Sequence, residues 1–153
     1  VTTHYRPPEL LLGKDIVHPK MDVWSAGCVV MEMLHKEYTF WCKTDDPYIS
    51  DEQNVWNNIV KKLGPVDTDS ELKTFPRWKK LNPRNKSNGP KTYEVDLTSE
   101  NESRKWHHLD DSSQTFIGLG SIPRKWNDLV RLMLTLEPSK RLSSASILKK
   151  LQV

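Results

Sequence analysis

The stretch HPKMDVWSAGCVVMEMLHKE, residues 18–37, constrains the fold more than any other part of the chain. Wound as a helix, it places Met21, Val23, Trp24, Ala26, Cys28, Val29, Val30, Met31, Met33 and Leu34 almost all the way round the axis. A helix that is apolar on every side is buried on every side. This one is expected to be the central post of a domain. Its length argues against a core strand. The apolar run from Met21 to Leu34 is too short for a membrane span and carries Asp22, Ser25 and Glu32.

The other segments must pack around that post. Pro7 and Pro8 keep the first residues extended, and ELLLG makes a short helical turn stopped by Gly13. Thr39 to Pro47 reads as a loop with exposed aromatics, Phe40 and Trp41 among them. Ser50 and Gln53 form a capping box ahead of Trp56, Ile59, Val60 and Leu63, and Gly64-Pro65 ends that helix. Phe75 and Trp78 in FPRWKK anchor a loop. Residues 82–113 are polar with little periodicity, which marks an insert. Trp126, Leu129, Val130, Met133 and Leu136 form a helical stripe, EPSKR a turn, and Ser143 or Ser144 caps a last helix with Ile147, Leu148 and Leu151. No sheet and no internal repeat is expected.

Composition narrows the function classes. The 153 residues suit one domain with one core. A net charge of +3 is too weak to argue for nucleic acid, and the mild basic cluster from Arg77 to Lys91 reads as a solvated loop. Cys28 and Cys42 suggest neither a disulfide framework nor a zinc site. The sequons at Asn85 and Asn101 read as chance matches in an intracellular chain, nuclear or cytoplasmic. Neither nucleic acid nor membrane is expected as a partner.

Three ordered stretches, YRPPELLLG, MDVWSAGCVVMEM and EPSKRLSSASIL, resemble the eukaryotic protein serine/threonine kinases, and among them the cyclin-dependent kinases of the CMGC group. FPRWKK resembles a segment of the insert those kinases carry. The likeness covers residues 1–37 and 121–151 well and 50–80 moderately; it does not cover 81–120. It implies a mostly α fold, the helical C-terminal lobe of the kinase fold without the N-terminal β-lobe. Residues 1–153 would then be a partial kinase domain with a divergent insert at 81–120.

The resemblance also assigns roles. Glu9, in P-P-E, would pair with Arg141 as a buried structural clasp. Asp22 would anchor the catalytic loop. Thr2, Tyr5 and Arg6 would position substrate, Thr2 facing the catalytic aspartate and the other two lining a pocket that favours proline after the phosphoacceptor. His4 departs from the tryptophan usual there. The Gly-rich loop, the strand lysine, H-R-D and D-F-G all precede P-P-E in family order and are not found in this sequence. His108-Leu109-Asp110 imitates H-R-D, but Ser112 and Thr115 stand where lysine and asparagine belong. Gly118-Leu119-Gly120 starts like a phosphate loop and continues Ser-Ile-Pro.

No catalytic residue, metal ligand or cofactor is therefore expected for this chain alone; ATP and Mg²⁺ belong to a full-length parent. That parent would phosphorylate protein substrates in a proline-directed way, with a cyclin-like or docking partner. The alternative is a complete, truncated product acting as a non-catalytic pseudokinase or protein-binding module.

Overall fold

The computed structural model describes residues 2–15, 17–35, 38–41, 43, 45–82, 115–116, 120–121 and 124–152. Their helices are α1 (Pro8–Leu11), α2 (Lys20–His35), α3 (Asp51–Leu63), α4 (Trp78–Leu81), α5 (Arg124–Met133) and α6 (Ser144–Leu151), with 3-10 turns at Thr3–Tyr5 and Glu71–Thr74. Two short strands, β1 (Thr115–Phe116) and β2 (Gly120–Ser121), pair antiparallel with Thr115 opposite Ser121. The sequence offers no alternation long enough to reveal so short a ladder, and no sheet was expected. Most of the insert expected at 81–120 lies outside the described residues, as do both sequons and His108-Leu109-Asp110. A mostly helical count does not delimit a lobe, so the helices alone do not carry the expected C-terminal lobe without a β-lobe.

α2 is the central element, although it is not buried all round. Met21, Val23, Trp24, Cys28 and Met31 are buried, while Asp22, Ala26, Val29 and Met33 form one exposed stripe. Their spacing of i, i+4, i+7, i+11 is one helix face, and Met33 on it is 72% exposed. Apolar character alone did not distinguish this face from the buried ones. α5 packs closely on α2 at Gly27, where an added Cβ would lie 3.0 Å from both Leu134 Cδ2 and Met133 Cβ.

The main core joins Leu11 and Leu12 of the α1 turn, Trp24, Cys28 and Met31 of α2, Val55, Trp56 and Ile59 of α3, and Val130 and Leu134. Phe40, expected on an exposed loop, lies in this core and stacks on Trp24 at 5.5 Å; its neighbour Trp41 is the exposed one. FPRWKK closes the core edge. The Arg77 N–H donates to the Leu12 carbonyl at 2.9 Å, and Trp78 meets Trp56 edge-on at 5.9 Å. A smaller cluster of Val23, Leu129 and Met133 receives Leu142 and Ile147, whereas Leu148 and Leu151 of α6 are exposed.

The helix ends follow local chemistry. Ser50 Oγ accepts from the Gln53 N–H at 3.2 Å, but the Gln53 amide donates to Asn57 and to the Leu81 carbonyl, so only half of the capping box forms. Ser143, rather than Ser144, caps α6 by accepting from the Ser146 N–H. α1 ends in a Schellman turn: the Lys14 N–H reaches the Glu9 carbonyl, the Gly13 N–H reaches that of Leu10, and Gly13 sits at φ 83°.

Candidate functional site

The segment from Thr2 to Glu9 is fastened to the helices at several points. Thr2 is exposed, and its carbonyl accepts from the Tyr5 N–H, which starts the 3-10 turn. The Tyr5 hydroxyl donates to Glu32 Oε2 at 2.9 Å, while Glu32 Oε1 accepts from the Thr39 N–H. Ser25 Oγ donates to the Tyr5 carbonyl at 3.0 Å. One turn on, Arg6 Nη1 meets Glu52 Oε1 at 2.8 Å, and Arg77 meets the other oxygen of the same carboxylate at 3.2 Å. Glu52 thus joins the segment to the first turn of α3 and to the FPRWKK segment.

The strongest fastening is at Glu9. Arg141 donates to both carboxylate oxygens, Nη1 to Oε1 at 2.7 Å and Nη2 to Oε2 at 2.9 Å, and both side chains are essentially inaccessible to solvent. The remaining N–H groups reach the carbonyls of Thr135, Lys20 and Leu136. Every N–H of the guanidinium is therefore satisfied, which makes a buried charge tolerable. The Trp24 ring lies 5.1 Å from the guanidinium carbon, adding a cation–π contact. Lys20 Nζ also donates to the carbonyls of Pro138 and Ser139, tying the start of α2 to the turn that carries Arg141.

Asp22 is exposed on the first turn of α2. None of the hydrogen bonds that fasten Tyr5, Arg6 and Glu9 runs through its side chain. The sequence reading missed Ser25, Glu32 and Glu52 as fastening points. Two of them carried a signal, since Ser25 and Glu32 interrupt an otherwise apolar helix; Glu52 looks like any acid in a first helical turn. It also missed an aromatic cluster beside the segment, where Tyr38 lies 5.2 Å from His4 and 4.7 Å from Trp41 between ring centroids.

Burial, with the Glu32 carboxylate as hydrogen-bond partner and negative neighbour, pushes the Tyr5 hydroxyl from 10.0 up to about 12. The folded state then holds a proton that the unfolded state releases first. Stability from this contact is full below pH 10 and is lost as the pH rises toward 12. In an ultraviolet tyrosinate titration, Tyr5→Phe is expected to remove the latest phase and Glu32→Gln to move it to lower pH. An unchanged late phase in Glu32→Gln would contradict this assignment. Burial also pushes the Cys28 thiol up, which leaves it an inert core group.

No group of three or more His, Cys, Asp or Glu side chains among the described residues is arranged to hold a metal ion.

The protein kinase domain family matches residues 1–151. The chain belongs to the protein kinase family. Within the family it is similar to the cyclin-dependent kinases. It is 34% identical to cyclin-dependent kinase 8 of Caenorhabditis elegans over 94% of this chain and 23% of that protein. It is 28% identical to the probable cyclin-dependent kinase 8 of Dictyostelium discoideum, over 97% of this chain and 34% of that protein. Cyclin-dependent kinase 12 of Caenorhabditis elegans is 30% identical over 97% of this chain and 16% of its own length. The chain spans about a third or less of these relatives.

The kinase-domain match begins at residue 1 and runs almost the whole chain, which corrects the expected fold class. The finding is a mostly helical chain matched by the kinase domain from its first residue, and the narrower description of a helical C-terminal lobe lacking the N-terminal β-lobe is not upheld. No helix among the described residues is long and apolar enough to cross a membrane.

Proposed function

We propose that this chain is the substrate-facing part of a cyclin-dependent-kinase-like protein serine/threonine kinase. A longer protein carrying it transfers the γ-phosphate of ATP, with Mg²⁺, to a Ser or Thr hydroxyl followed by proline. Thr2, Tyr5 and Arg6 position the substrate, Glu9 and Arg141 hold that segment in place, and Asp22 anchors the catalytic loop. Partners are protein substrates and a cyclin-like or docking protein, inside the cell in nucleus or cytoplasm. Residues 1–153 by themselves are inactive, because phosphoryl transfer needs groups that hold phosphate and metal and their motifs do not occur in this sequence.

The observation that carries this reading is the fastening of residues 5–9 to α2, α3 and the turn at Arg141, which supports a rigid substrate platform. The test uses the longer protein with ATP, Mg²⁺ and matched Ser-Pro and Ser-Ala peptides. The Ser-Pro peptide is expected to win in kcat/KM, and Arg6→Met to reduce that preference by about tenfold, the scale of one pocket contact. Equal rates on the two peptides would reject proline direction.

A second reading, a non-catalytic protein-binding module, is favoured by the exposure of Val29, Met33, Tyr38 and Trp41. Measurable nucleotide affinity of the purified chain would reject it.

A further inference from the structure

Three parts of the chain meet at Glu52. It sits in the first turn of α3, and two arginines hold its carboxylate by different oxygens. Arg6 Nη1 meets Oε1 at 2.8 Å, and Arg77 Nη1 meets Oε2 at 3.2 Å. The side chains of Arg6 and Glu52 are 27% and 31% exposed, so the pair is partly sheltered from the water that weakens a surface bridge.

Glu52 is anchored on both of its other sides. Val55, Trp56 and Ile59 hold α3 in the core, which fixes the backbone that carries it. Arg77 is fixed independently. Its N–H donates to the Leu12 carbonyl at 2.9 Å, and its stem lies against Gly13, where an added Cβ would come within 3.0 Å of Arg77 Cγ. Turning the Glu52 carboxylate away from Arg6 would therefore disturb its contact with Arg77 as well. On the Arg6 side, the backbone is already set. Ser25 Oγ donates to the Tyr5 carbonyl, the Tyr5 hydroxyl donates to Glu32, and Pro7 follows with a φ its ring restricts. The long Arg6 side chain is the part with most freedom left to lose. Glu52 removes some of that freedom, and further contacts of Arg6 share the task.

We propose that Glu52 is a positioning residue for proline preference. It aims Arg6 at the pocket for the residue after the phosphoacceptor, and Arg77 ties the FPRWKK segment to that setting. The inference rests on the function proposed above and adds a residue to it. Glu52 acts through Arg6 and not by touching substrate. The effect is preorganisation: an arginine already held need not be ordered when the peptide arrives.

The test uses the longer protein with ATP, Mg²⁺ and the matched Ser-Pro and Ser-Ala peptides, and reads the ratio of their kcat/KM values. Glu52→Gln keeps the shape and removes the charge. It is expected to lower the ratio about threefold to fivefold, the scale of one partly exposed ion pair. Glu52→Asp draws the carboxylate back by one methylene and should lower the ratio in the same direction. Arg6→Met combined with Glu52→Gln should lose no more selectivity than Arg6→Met alone, because Glu52 works through that side chain. A merely structural role would slow both peptides in proportion and leave the ratio where it was. A wild-type preference that survives Glu52→Gln, or a double variant whose losses multiply, would overturn this inference and leave the proposed function standing. Equal rates on the two peptides in the wild-type protein would overturn both.

Discussion

Arg141→Met is expected to destabilise the chain by about 3–5 kcal/mol, the usual result of removing one partner of a buried ion pair. The mechanism is specific. Glu9, 1% exposed, would keep its carboxylate with no counter-charge, and the carbonyls of Thr135, Lys20 and Leu136 would each lose a donor. The Trp24 face would lose its cation as well. Arg141→Lys should rescue little, because an ammonium cannot reproduce the fork that meets both Glu9 oxygens. Urea unfolding followed by circular dichroism reads the effect, and a loss below about 1 kcal/mol would mean the pair behaves like a surface bridge.

Trp24→Ala should be comparably severe, about 3–5 kcal/mol, because it opens a cavity at the centre of the core. Trp24 is fully buried, stacks on Phe40 with only 12° between ring planes, and backs the Arg141 guanidinium. Its indole N–H has no hydrogen-bond partner among the described residues, so part of what the tryptophan contributes is offset by an unmet donor. Trp24→Phe removes that donor and keeps most of the ring, and should destabilise far less than Trp24→Ala. Thermal unfolding of the two variants separates the cases. For a domain of this size the alanine variant should melt roughly 10 °C lower. Equal losses in the two variants would mean that packing by the ring is not what Trp24 supplies.

What was legible in the sequence follows the range of the physics involved. Local signals were readable. The Ser50 cap, the Gly13 stop and the i, i+3, i+4 stripe of α3 depend on neighbours within a turn or two. The exposed stripe of α2 was not readable, because Val29 and Met33 are as apolar as the buried Val23 and Met31 and only the packing decides. Phe40 and Trp41 posed the same problem at adjacent positions. No local pattern links Glu9 to Arg141, which are 132 residues apart in sequence. Their pairing was suggested by family resemblance alone. Glu32 and Glu52 were overlooked because their partners, Tyr5 and Arg6, are also distant in sequence. The fold class was drawn too narrowly for a related reason: motifs recognised in a helical region say which elements are present and do not set the limits of the domain they belong to.

The central claim is that the segment ending at Glu9 is locked to the helices through Arg141. A double-mutant cycle of Glu9→Gln, Arg141→Met and the pair, read by urea unfolding, tests it most directly. The two losses should be strongly non-additive, with the double variant recovering at least about 1.5 kcal/mol relative to their sum. Additivity within about 0.5 kcal/mol would contradict the lock.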